Sequence, residues 1–275
     1  MATERRTTER RVALLVGSLD TCMPEENMMA VASDHILAKS AATLAGKLLL
    51  ALRQESSDAG LPAKRIGEIG DDRSHNLLCA FLSDAFPNDA ILSEEQMDDL
   101  ERLNAKRVWI IDPLDGTREF SEGDRDDWGV HVALVENQKP TVGAVALPSL
   151  STTFCSDTKT VPTDPINDIR IVCSRTRPGP AAELLADQLS GDLIYMGSAG
   201  AKAMAVVRGD AEIYAHTGGQ YEWDSCAPVA VALASGLHAS RLDGSPLKYN
   251  QSDTYLPDLL ICRKELAVST LSILN

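Results

Sequence analysis

The sequence is short of positive charge and of histidine, and it has no patterned cysteine; each shortage closes a class of function. Lys and Arg number 26 against 40 Asp and Glu, a net charge of −14, and no basic tract occurs beyond the first dozen residues. A chain with that balance offers no electrostatic footprint for nucleic acid. Five histidines (His35, His75, His131, His216 and His238) are dispersed, and six cysteines (Cys22, Cys79, Cys155, Cys173, Cys226 and Cys262) show no C-x-x-C and no paired spacing. That speaks against a zinc site and against a disulfide framework. Most of the cysteines lie in apolar runs and read as small buried hydrophobes, which fits a reducing cytoplasm. No apolar run looks long enough to span a bilayer, so no membrane partner is expected. A hydrophobic content of 44% over 275 residues is still ample for a core, with room for two packed subdomains.

The N-terminus superficially resembles a secretory signal. Arg5-Arg6 and Arg10-Arg11 precede the apolar Val12–Val16. The stretch is short, Asp20 follows soon after, and no small-residue cleavage site appears. Asp20 also spoils Leu19–Cys22 as a lipid-attachment site. Residues 1–28 therefore read as a poorly ordered extension, and Met28 and Met29 offer an alternative translation start.

What the chain does have is acid at the ends of apolar elements. Val108-Trp109-Ile110-Ile111 reads as a buried strand, with Asp112 and Asp115 just past its end. Pro113 fixes φ and Gly116 permits a tight turn, so both carboxylates sit on one short, stiff connection. Upstream, Ala90–Ser93 is a second strand-like run ending in Glu94-Glu95. Downstream, Asp224 opens an apolar helix that runs to Leu233. Each acid has a bland explanation: turn punctuation for Asp112 and Asp115, an N-cap for Asp224, a solvated strand end for Glu94 and Glu95. Three such ends in one chain favour a site for a hard cation such as Mg²⁺, which takes oxygen ligands.

The motifs Leu92-Ser93-Glu94-Glu95, Trp109–Thr117 and Trp223-Asp224-Ser225-Cys226-Ala227-Pro228 resemble, in this order, the three signatures of the inositol monophosphatase superfamily. The likeness runs from about Asp34 to the C-terminus. Arg118-Glu119-Phe120, Gly197–Lys202 and Leu242–Leu247 are similar to its CysQ branch, the 3′-phosphoadenosine 5′-phosphate phosphatases, and to actinobacterial members above all. The inositol monophosphatase branch typically carries Thr-Asn-Phe where Arg118-Glu119-Phe120 stands.

The resemblance implies an αβαβα sandwich of two subdomains and a Mg²⁺-dependent, Li⁺-sensitive phosphomonoesterase. It would be a 3′(2′),5′-bisphosphate nucleotidase of sulfate assimilation that cleaves 3′-phosphoadenosine 5′-phosphate, or its 5′-phosphosulfate, by in-line attack of water. Glu94, Asp112, the Leu114 carbonyl, Asp115 and Asp224 would ligate two or three ions, with Asp112 as the bridge. Asp71 and Thr117 would orient the attacking water. Asp71 is preferred to Asp72 because His75 then falls one turn later, although the usual Thr-x-x-Asp lead-in is here Glu68-Ile69-Gly70-Asp71. Glu94, Gly116, Thr117, Arg175, Ser198 and Lys202 would contact substrate. Ser198 would act from a helix start, and Arg175 and Lys202 would meet the phosphate that is not cleaved. For Arg175 and Lys202 the competing explanation is ordinary surface charge. The implied setting is a cytoplasmic enzyme with a small nucleotide substrate, and a homodimer is compatible with it.

Periodicity places helices over Asp34–Leu52, Asp71–Leu82, Ala181–Leu189, Ser198–Val207 and Asp224–Leu233, with a last one from Lys264. Strands are expected at Ile91, Val108–Ile111, Gly129–Val135, Val142–Leu147, Ile169–Val172, Glu212–Tyr214 and Leu259–Ile261. The first subdomain, 29–150, carries most of the acids. The second, 151–275, carries Asp224 and the substrate contacts. The competing substrates are inositol 1-phosphate and fructose 1,6-bisphosphate. A non-enzymatic metal- or nucleotide-binding protein is the other class. Gly197–Lys202 lacks the ending of a P-loop, Asp112–Gly116 lacks the spacing of an EF-hand, and an inactive relative would be expected to have lost ligands that are all present.

Overall fold

The computed structural model describes residues 25–275 apart from 161 and 163, with side chains from residue 33 onward. The expected N-terminal extension therefore lies almost wholly outside the described residues, and positions 25–28 open a helix. In chain order come α1 (Glu25–Asp58), α2 (Ala63–Ala85), β1 (Ala90–Ser93), β2 (Arg107–Asp115), the short α3 (Thr117–Ser121), β3 (Gly129–Glu136), β4 (Lys139–Leu147) and β5 (Thr152–Cys155). Then follow β6 (Arg170–Ser174), α4 (Pro180–Leu189), β7 (Asp192–Met196), α5 (Ala199–Arg208), β8 (Ile213–Tyr221), α6 (Glu222–Ala234), β9 (His238–Ser240), β10 (Tyr255–Cys262) and α7 (Ala267–Leu274).

Two five-stranded sheets result, ordered β1-β2-β3-β4-β5 and β7-β6-β8-β10-β9. In the first, β1 runs parallel to β2 and the remaining neighbours are antiparallel. β5 lies just past the expected division after Leu150 and still pairs with β4.

The layering follows from which face each strand residue uses. Successive side chains alternate across a strand. Trp109 and Ile111 of β2 join Val130, Val132 and Leu134 of β3 against Ala38, Ala41, Ala45 and Leu49 of α1 and Leu78 and Leu82 of α2. Val108 and Ile110 turn the other way. They meet Met204 and Val206 of α5, Val229 and Val231 of α6, and Tyr214 and Leu259 from the second sheet. Ile171, Ile213 and Leu260 of the second sheet's far face pack on Ala182 and Leu185 of α4 and on Ala267 of α7. Burial on both faces explains why β2 reads as a continuous apolar run rather than an alternating one. The product is an αβαβα sandwich.

By length and composition, Ser33–Asp58 of α1 could cross a membrane, contrary to the expectation from apolar runs. Its alanine-rich stripe is covered by the first sheet, and Lys39 and Lys47 stand exposed on the outer side. Packing accounts for its composition.

Candidate active site

β2 does not stop at Ile111. It continues through Asp112-Pro113-Leu114-Asp115, and its register with β3 shifts between Asp112 and Asp115. The proline has no N–H for a ladder, so an irregularity belongs there. Asp112 and Asp115 are both buried. Oδ1 of Asp112 accepts the Leu114 amide at 3.1 Å. Gly116, at φ +87°, then turns the chain into α3.

Thr117 opens α3. Its hydroxyl lies 3.3 Å from Asp71 Oδ1 and 3.2 Å from the Leu114 carbonyl, so one proton is shared between two acceptors. Asp71 reaches it from α2, which runs unbroken from Ala63, ahead of the expected start at Asp71. Gly67 and Gly70 let the two helices close up. A Cβ at Gly70 would stand 2.8 Å from Phe120 and 2.9 Å from Leu114, and one at Gly67 would stand 2.8 Å from Thr117. Asp71 is pushed up to about 7 by burial and by Glu95, against the opposing hydrogen bond of Thr117. His75, one turn on, meets Ser93 Oγ at 2.9 Å beside the Glu94 loop.

Four carboxylates converge from three elements. Glu94 stands exposed just after β1, and desolvation at the site followed by the charge of Asp224 pushes it up to about 8. Asp112 is raised well above the usual range by burial, then by Glu94, Asp115 and Asp224. Glu94 and Asp112 lie close enough for each to shift the other's titration. Asp224 is the third residue of α6 rather than its cap. Its Oδ2 accepts the Tyr221 amide at 2.6 Å, and burial plus the charge of Asp115 raises it to about 7.

Asp115 behaves differently. Burial raises it, but His131 and hydrogen bonds from Ser198 and the Gly200 amide outweigh that and bring it to about 2. Ser198 Oγ donates to its Oδ2, as does the Gly200 amide at 2.7 Å, and the Ala199 amide reaches Oδ1 at 3.1 Å. The anion at the start of α5 is thus the protein's own carboxylate. A set of buried, mutually repelling oxygen donors fits a divalent cation, which would balance their charge.

The expected substrate residues are placed unequally. Arg175 lies in a cavity of about 420 Å³ lined by Arg118, Glu119, Ser174, Arg175, Thr176, Arg177 and Gly197. Its guanidinium pairs with Glu119 at 2.6 Å and Glu122 at 3.0 Å, so its charge is oriented rather than loose. Lys202 points inward. It is 4% exposed, donates to the Gly197 and Ser198 carbonyls, and is shifted down by burial. Lys202 is therefore not surface charge; it clamps the turn that leads into α5. Gly116 and Ser198 both border Asp115.

By sequence His131 reads, with the other histidines, as dispersed. The fold sets its Nε2 3.1 Å from Asp115 Oδ2 and groups it with Asp112 and Asp115. The one signal available was its position, an ionisable side chain between Val130 and Val132 in a buried strand.

Comparisons with known proteins agree with this geometry. The inositol monophosphatase family matches residues 34–272. The 3′-phosphoadenosine 5′-phosphate phosphatase of Mycobacterium leprae is 48% identical over 257 residues, 88% of this chain and 94% of that protein. The 3′(2′),5′-bisphosphate nucleotidase CysQ of Escherichia coli is 28% identical over 68% of this chain and 80% of its own length. The crystal structure of CysQ from Bacteroides thetaiotaomicron superposes with a TM-score of 0.72 at 26% identity, covering 84% of this chain and 97% of that one. A family match over nearly the whole chain, on a fold that brings all three motifs together, establishes that this chain belongs to the inositol monophosphatase family.

Proposed function

We propose that this protein is a Mg²⁺-dependent phosphomonoesterase that hydrolyses 3′-phosphoadenosine 5′-phosphate to AMP and phosphate. The observation that carries the chemistry is the convergence of Glu94, Asp112, Asp115 and Asp224 in a site where they perturb one another strongly. Oxygen-only donors suit a hard cation such as Mg²⁺, and two or three ions suit that many carboxylates together with the Leu114 carbonyl. Bound cations would supply Lewis acidity at the phosphate and lower the pKa of the attacking water.

The chain's own groups do the rest. Thr117 accepts a hydrogen bond from the water and passes its own proton toward Asp71, whose carboxyl near 7 is suited to holding that proton at neutral pH. Gly116 and the Thr117 amide border the phosphate, and Ser198 and Lys202 fix the turn opposite them. Arg175, held by Glu119, presents positive charge to the second phosphate in the Arg118–Arg177 cavity. The relatives named as adenosine-bisphosphate phosphatases support this choice of substrate over inositol 1-phosphate. The free Cys79, Cys155, Cys173, Cys226 and Cys262 fit a reducing cytoplasm.

Comparing kcat/KM for 3′-phosphoadenosine 5′-phosphate, inositol 1-phosphate and fructose 1,6-bisphosphate on purified protein with Mg²⁺ tests the reading. The adenosine bisphosphate should be preferred. Preference for either of the others would overturn the substrate, and failure to cleave any of them would overturn the class.

A further inference from the structure

A buried histidine sits where the two halves of the site meet, and nothing in the reaction above uses it. His131 is 1% exposed and lies across from Asp112 in the β2–β3 register. Its Nδ1 is 3.1 Å from the carbonyl of Trp223, the residue before Asp224. A carbonyl only accepts, so Nδ1 carries a proton. Its Nε2 stands 3.1 Å from Asp115 Oδ2 but out of hydrogen-bond alignment with it, while Ser198 and the Gly200 amide both bond to that oxygen. The ring has space only because residue 200 is glycine, since a Cβ there would stand 2.0 Å from Nε2.

We propose that His131 is a positioning residue that fixes the Asp115 carboxylate relative to Asp224, by bridging the end of β2 to the start of α6, and that Gly200 is there to admit its ring. The inference rests on the reading of Asp115 and Asp224 as metal ligands. One imidazole touches a ligand from the first sheet with one nitrogen and the backbone beside a ligand from the interlayer helix with the other. The two carboxylates arrive on elements far apart in sequence, and a ring packed against one and hydrogen-bonded beside the other holds their relative orientation around an ion.

Direct ligation by His131 is the competing possibility, because Asp112, Asp115 and His131 offer atoms within 4.8 Å of one another. The geometry disfavours it. Nδ1 is committed to the Trp223 carbonyl, and Nε2 is closed in by the Gly200 backbone on one side and Asp115 on the other. Gln at position 131 can place an amide N–H near the Nε2 position, beside Asp115, whereas Asn places one near Nδ1 only.

Mn²⁺ serves as a paramagnetic probe on the substrate-free protein, with binding read from the loss of the free-ion EPR signal. His131→Ala and His131→Asn should bind it about 10–100-fold more weakly, the usual cost of losing such a partner. His131→Gln should recover most of the affinity, and Gly200→Ala should weaken binding in the same direction as His131→Ala. Pulsed EPR of the wild-type complex should show no directly coordinated nitrogen, a measurement that does not depend on any variant folding. Unchanged Mn²⁺ affinity in folded His131→Ala would overturn this inference alone. A coordinated nitrogen that disappears in His131→Gln would make His131 a ligand and overturn it too. Absence of Mn²⁺ binding in the wild type would instead bring down the metal reading of the site, and this inference with it.

Discussion

At the scale of single residues, the site is defined by how unlike its carboxylates are. Asp115 is held low by donors from α5 and by His131, while Asp112, Glu94 and Asp224 are pushed up by burial and by one another. Asp71 belongs to a separate unit with Thr117. Residues that act as a unit give non-additive losses. Asp71→Ala, Thr117→Ala and the double variant should therefore lose similar amounts of kcat, and steady-state rates that multiply instead would show independent action. If Asp72→Ala were the damaging change and Asp71→Ala mild, the assignment would be wrong by one residue.

Arg175 makes the complementary prediction for specificity. A lost charge-assisted contact is worth ~1.5–3 kcal/mol, or roughly a tenfold to hundredfold fall in kcat/KM. Arg175→Ala should impose that fall on 3′-phosphoadenosine 5′-phosphate and spare inositol 1-phosphate. Glu119→Gln should move in the same direction by loosening the guanidinium.

At the scale of elements, the helix–helix contact that delivers Asp71 depends on two glycines. Gly70→Ala gains helix propensity of about 1 kcal/mol but overpacks a closed contact at a cost of about 1–3 kcal/mol. The added methyl would face Phe120, Leu114 and Leu49, none of which has open space to move into. Thermal melts should show a lower Tm for this variant, and kcat should fall with it because Asp71 is the next residue. Unchanged Tm and kcat would mean that the helices can part freely.

Much of the fold was legible because its strands are buried on both faces and its helices carry apolar stripes. Val108–Ile111, Gly129–Val135 and Val142–Leu147 announce themselves by composition. The ends were less legible. β2 runs on through Pro113 because a bulge absorbs the missing amide, and α2 begins well before Asp71, its first turn bonded back to the Pro62 carbonyl. The short β5 and β9 carry too little apolar pattern to be found, and β7 is a five-residue strand whose apolar run after Asp192 lacks the alternation that marks a half-buried strand. Among site residues, the acids could be found from their place at element ends. His131 and the Glu119–Arg175 pair could not, since their partners lie 16 to 92 residues away in sequence and only the fold brings them together.

At the scale of the molecule, the site is a local liability that a cation would relieve. In the metal-free protein Asp71 and Asp224 sit near 7, Glu94 near 8 and Asp112 well above the ordinary range, and Glu222 beneath the site is raised to about 7 by burial. Each binds its proton more tightly folded than unfolded, where carboxyl pKa values are about 4. The stability this confers is complete below about pH 4 and is lost as pH rises through 7 and 8. Asp115 has the opposite sign, but its contribution is lost only as pH falls toward 2. Chelated protein should therefore melt at progressively lower temperature from about pH 5 to 8.5, and Mg²⁺ should recover more stability at the upper end, where ligand binding to the folded state acts on ionised carboxylates. A Tm that rises over that range without metal would contradict the cluster's electrostatics.

The most direct test of the whole account is phosphate release from 3′-phosphoadenosine 5′-phosphate as a function of Mg²⁺, in the wild type and in Asp112→Asn. The account predicts no turnover in chelator, saturable activation by Mg²⁺ in the wild type, and a loss in Asp112→Asn larger than in any other single ligand variant. Asp112 is buried and feels Glu94, Asp115 and Asp224 together. Full turnover in chelator, or an Asp112→Asn variant as active as the wild type at every Mg²⁺ concentration, would contradict it.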